Sequence, residues 1–89
     1  MIKISTREEA TTTFRVMDMM MGLEEAPDIS IVNTFAKIVT ATDNMDLVFR
    51  RGDWVFQVTL PDGSIVENSL SEDYANRIRA QIARRRCWG

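Results

Sequence analysis

The sequence predicts an α+β fold in the order α-α-β-β-β-α, with a three-stranded antiparallel meander and helices packed on one face of it. Three observations lead there. Apolar residues recur at helical spacing up to about residue 41 and again after Ser71. Between Met45 and Val66 the spacing changes to every second residue, as on a half-buried strand. Gly52 and Gly63 fall in turn-forming sequences that divide this alternating stretch into three.

The first helix is predicted from about residue 6 to Met21. Ser5 or Thr6 followed by Glu8 or Glu9 is a capping-box start, in which side-chain oxygens satisfy backbone N–H groups left free by the first turn. Ala10, Phe14, Met17 and Met21 form the buried stripe, with Val16 and Met20 beside it and Met19 pointing elsewhere. Gly22 supplies the stop. The next segment, rich in β-branched residues, would be a strand by propensity. At 100° per residue, however, Ile29, Ile31, Val32, Phe35, Ala36, Ile38 and Val39 gather on one half of the wheel, so a second helix over 29–41 is predicted, capped by Asp28.

A hairpin with a type II′ turn at Gly52 and Asp53 would place Phe49 opposite Phe56, Leu47 opposite Val58 and Met45 opposite Leu60, all on the core face. Pro61, Asp62 and Gly63 predict a type I turn with a glycine bulge, leading into a third strand that sets Val66 beside Val58. Ser71 caps the last helix, whose buried stripe is Tyr74, Ala75, Ile78 and Ile82. Residues 1–4 are a candidate fourth, edge strand.

Eighty-nine residues make one domain. The apolar content of 45% and charged content of 27% are those of an ordinary globular chain, and no apolar run reaches the length of a membrane span. The expected location is the cytoplasm. Histidine is absent and Cys87 is the only cysteine, which removes the usual zinc ligands, an internal disulfide and the commonest acid–base catalyst. No phosphate-binding glycine loop or nucleophile elbow occurs. An enzyme is therefore not expected, nor any cofactor. Asp43 and Asp46 form the one carboxylate pair worth weighing as a magnesium site, and acids in such a turn more often cap helices and meet water. Arg51, Gly52 and Asp53 spell an adhesion tripeptide but read as the hairpin turn.

Net charge is only −2, but the last sixteen residues hold five arginines and no acid. Clustered cations of this kind favour nucleic acid through counterion release, which makes Arg77, Arg79, Arg84, Arg85 and Arg86 the candidate contacts. On the helical wheel Arg77 and Arg84 lie on one edge of the apolar stripe while Arg79 and Arg86 lie on the other, and Asp73 sits one turn before Arg77, where it can pair with it. The helix–three strands–helix order is similar to that of a double-stranded-RNA-binding domain, though here a further helix precedes the strands and no basic loop opens the last helix.

The alternative surface is apolar. Val48, Val55 and Ile65 fall on the outward face of the sheet, where they would form a patch unless covered by residues 1–4, by a second copy or by another protein. Arg85, Arg86 and Trp88 add residue types that dominate binding hot spots. The favoured expectation is a non-enzymatic regulator, adaptor or inhibitor that occupies a protein partner's surface, alone or as a homo-oligomer. Its scale is that of phage and mobile-element accessory proteins. The alternative is a nucleic-acid-associated protein using the arginine-rich helix.

Overall fold

The computed structural model describes residues 2–22 and 27–88. The elements are α1 (Arg7–Gly22), α2 (Ile29–Ala41), β1 (Met45–Arg50), β2 (Asp53–Thr59), β3 (Ile65–Leu70) and α3 (Glu72–Trp88). The strands form one antiparallel sheet in the order β1-β2-β3, giving the predicted α+β meander.

Local chemistry accounts for the boundaries. The Thr6 hydroxyl accepts from the Glu9 N–H at 3.2 Å and is 3.1 Å from the Glu9 carboxylate, to which it donates. Asp28 accepts from Ser30 N–H at 2.7 Å and Ile31 N–H at 3.4 Å, so α2 begins where the sequence places it. Ser71 accepts from Tyr74 N–H at 3.3 Å and starts α3. The β2–β3 turn closes through Gly63 N–H to Leu60 O at 2.9 Å and Leu60 N–H to Ser64 O at 2.8 Å, with Gly63 at φ +89. That is the predicted type I turn with a glycine bulge.

Phe56 lies at the centre of the core. Its ring is 6.5 Å from Phe14 of α1 and 5.9 Å, edge-on, from Phe35 of α2. Around it are Met17, Val32, Val39, Val58 and the α3 residues Tyr74, Ile78 and Ile82, all buried. Each aromatic pair adds roughly 0.5–1.5 kcal/mol to the gain from burial. Val16, expected beside the buried stripe, is 52% exposed, and Met19 projects outward as predicted. The end of α1 is tied to the sheet from the helix side: Asn68 of β3 donates to Asp18 at 2.8 Å.

Two expectations need correction. The hairpin turn is made by Arg51 at φ +54 and Gly52 at φ +87, the two positive values of a type I′ turn, instead of by Gly52 and Asp53. The register moves by two residues, pairing Phe49 with Trp54, Leu47 with Phe56 and Met45 with Val58. A shift of two keeps every side chain on its predicted face. It also brings the Phe49 and Trp54 rings to 5.2 Å, an aromatic pair that offsets placing arginine in the left-handed region.

The second correction concerns the N-terminal segment, in which Met1 lies outside the described residues. Ile2 makes a single parallel bridge to Thr42 and does not join the sheet. Its N–H donates to Ala41 O at 2.9 Å, and its carbonyl accepts from Asp43 N–H at 2.7 Å. Ile4 then enters the core, and Asn44 clasps it, accepting from Ile4 N–H at 2.9 Å and donating to Ile4 O at 2.7 Å. The same amide donates to Thr59 O at 2.7 Å. Among the described residues, no helix is long and apolar enough to cross a membrane.

Candidate functional site

The outward face of the sheet is not the open apolar patch that Val48, Val55 and Ile65 suggest. Arg50 donates to Gln57 at 2.8 Å and approaches Glu67 to 3.6 Å. Both partners lie in the row of Asp46, four residues further along the sheet, so the arginine stem must cross the intervening row Val48–Val55–Ser69. Val55 is thereby buried to 8% exposure, Val48 is half-buried, and only Ile65, at the far end, stands open. The cover comes from a side chain of the sheet itself, not from residues 2–4.

The arginines of α3 divide as the helical wheel requires. Arg79 and Arg86 turn toward β1 and β2: the Arg79 guanidinium lies 4.3 Å from the centre of the Trp54 ring, and Arg86 pairs with Asp46 at 3.3 Å. Arg77, Arg84 and Arg85 face α2 instead. No ion pair joins Asp73 to Arg77 among the described residues. Asp46, weighed with Asp43 as a metal pair, is engaged by Arg86, and no group of three carboxylate or cysteine side chains converges among the described residues. Trp88 ends α3, its side chain lying outside the described residues, and the Cys87 thiol is exposed.

What the structure brings together is a cluster that sequence reasoning missed, at the turn end of the β1–β2 hairpin. Phe49 is 58% exposed although it lies in the core-facing row, because α3 covers that row only as far as Trp54. Its ring tilts 59° against Trp54, and Arg79 lies on Trp54. Arg79 also reaches the Asn76 amide oxygen at 3.4 Å, which steadies the guanidinium over the indole. The exposed Arg51 follows at the turn. Phe49, Trp54 and Arg79 thus present two aromatic rings with a cation on one of them, and Arg51 is exposed at the adjoining turn. Desolvating a cation–aromatic stack against a partner raises its contribution from roughly 0.5–1 kcal/mol to about 2. The available signal was the type I′ alternative for the turn, which alone sets Phe49 opposite Trp54.

No known protein family, curated protein or solved structure matches this chain.

Proposed function

We propose that this protein is a non-enzymatic binding module, a cytoplasmic regulator, adaptor or inhibitor that acts by occupying the surface of a partner protein through the turn end of its β1–β2 hairpin. The observation that carries this reading is the solvent-facing stack of Phe49, Trp54 and Arg79 beside a strained Arg51. Aromatic residues and arginine are the types enriched at the energetic centres of protein interfaces. The turn needs a left-handed residue at position 51, and arginine costs roughly 1–2 kcal/mol there where glycine or asparagine would be relaxed, so the side chain itself is not one that the turn selects. The division of the α3 arginines further favours a protein over nucleic acid, since five cations on two edges of a helix do not track one phosphate backbone.

The test is a pull-down with tagged wild type, Phe49→Ser and Arg51→Asn, each with and without nuclease, read by mass spectrometry. Phe49 is exposed, and asparagine tolerates the left-handed region, so both variants are expected to fold. Arg51→Asn should raise stability by up to about 1 kcal/mol in urea unfolding. A stoichiometric protein that survives nuclease with wild type and is lost with both variants is the expected result; a second copy of the chain recovered in this way identifies a homo-oligomer. Capture that is indifferent to both substitutions, or that vanishes with nuclease, overturns the reading.

A further inference from the structure

A second surface, separate from the hairpin end, runs between α2 and α3. These helices point the same way, since one leads into β1 and the other leaves β3, two parallel neighbours of β2. Near their starts, Ile29 of α2 meets Arg77 and Gln81 of α3 around a hollow of about 220 Å³. Further along, Ile29 and Asn33 meet Gln81, Arg84 and Arg85 around an adjoining hollow of about 540 Å³. The two share Ile29 and Gln81 and form one groove. From Arg77 to Arg85 it is roughly 12 Å long, a little over two helical turns.

The lining is specific in its chemistry. Ile29 is 64% exposed in the middle of the groove. Arg77, Arg84 and Arg85 surround it, and none of them forms an ion pair among the described residues. Among the described residues, no carboxylate lines either hollow. The Nε of Arg85 is shut off from solvent and has no acceptor among the described residues. Asn33 and Gln81 add amides that can donate or accept.

We propose that this groove docks an acidic amphipathic helix of a partner protein. Apolar residues at helical spacing would cover Ile29, and glutamates on the flanks would meet the three arginines, the helix-in-groove mode of recognition with complementary charge. Nucleic acid fits less well: an exposed isoleucine at the centre gives nothing to a phosphate backbone, and Arg79 and Arg86 are held on the far side of α3.

The experiment is an NMR titration of the isotopically labelled full chain with three probes. One is a synthetic peptide of about 18 residues with leucines at helical spacing and glutamates on both flanks, the second has those glutamates replaced by glutamine, and the third is a short DNA duplex. The acidic peptide should shift the Ile29 methyl signals and the side-chain amides of Asn33 and Gln81, leaving the Trp54 indole N–H in place. Its affinity should fall at least tenfold in the glutamine peptide, in the double variant Arg84→Glu with Arg85→Glu, and in Ile29→Ser, an exposed site whose substitution the fold tolerates. Absence of shifts at millimolar peptide, shifts centred on Trp54, affinity indifferent to the charge reversal, or duplex DNA moving the same signals at lower concentration would each overturn the proposal. None of these results depends on the reading of the hairpin end.

Discussion

Asp62 shows how much one side chain does in a two-residue neighbourhood. Its carboxylate accepts from the Ser64 hydroxyl at 2.6 Å and from the Ser64 N–H at 2.9 Å. Those bonds, the hydroxyl first, hold its pKa below the ordinary value of 3.8. Because the folded value lies below the unfolded one, the turn's contribution is present above the unfolded value and is lost as pH falls through the folded one. Ser64→Ala should move the Asp62 titration, followed by NMR, upward toward its ordinary value; an unchanged midpoint would mean that the hydroxyl bond is not made in solution. Chemistry of this range is readable from sequence, which is why Pro61, Asp62 and Gly63 suffice to predict both turn and bulge. Arg79 on Trp54 is not readable in that way. The two residues are far apart in the chain, and their meeting depends on a register and a helix placement that spacing rules leave open.

At the scale of elements, period decides more than propensity. The β-branched run after Pro27 becomes α2 because the helix buries Val32, Phe35, Ala36 and Val39 together, which alternation could not do. The hairpin register is the opposite case. Type I′ and type II′ turns give the same faces, so hydrophobic pattern is silent between them, and the choice falls to the cross-strand pair of Phe49 and Trp54. Val55 was legible as outward-facing but not as covered, since the reach of Arg50 across the sheet appears only once three strands are in register. Joints between elements rest on fewer residues still. Asn44 alone satisfies both backbone groups of Ile4 and the carbonyl of Thr59. Asn44→Ala leaves all three without their partner in a half-buried setting, and we expect a loss of about 1–3 kcal/mol in urea unfolding. Hydrogen exchange at the Ile4 amide should quicken more than at Phe56, and equal protection at both would show that the clasp is dispensable.

Across the whole molecule the elements sort to two ends. At one end are the hairpin turn and the β3–α3 junction, since Trp54 stands opposite both Phe49 and Leu70. At the other end both described ends of the chain are anchored to one short stretch: Ile2 on Thr42 and Arg86 on Asp46. Four residues span at most about 14 Å, so the first and last described turns of the chain are neighbours. The length of β1, roughly 17 Å, separates them from the hairpin turn. A linker of about eight glycine and serine residues should therefore close the chain into a ring, and reopening it between Asp62 and Gly63 should give a circular permutant whose Trp54 and Arg79 NMR signals match the parent. Loss of those signals would show that the chain order is needed to build the hairpin end. The same geometry sets an orientation: a molecule tethered to a surface by either terminus stands with Phe49 and Arg51 facing away from the support.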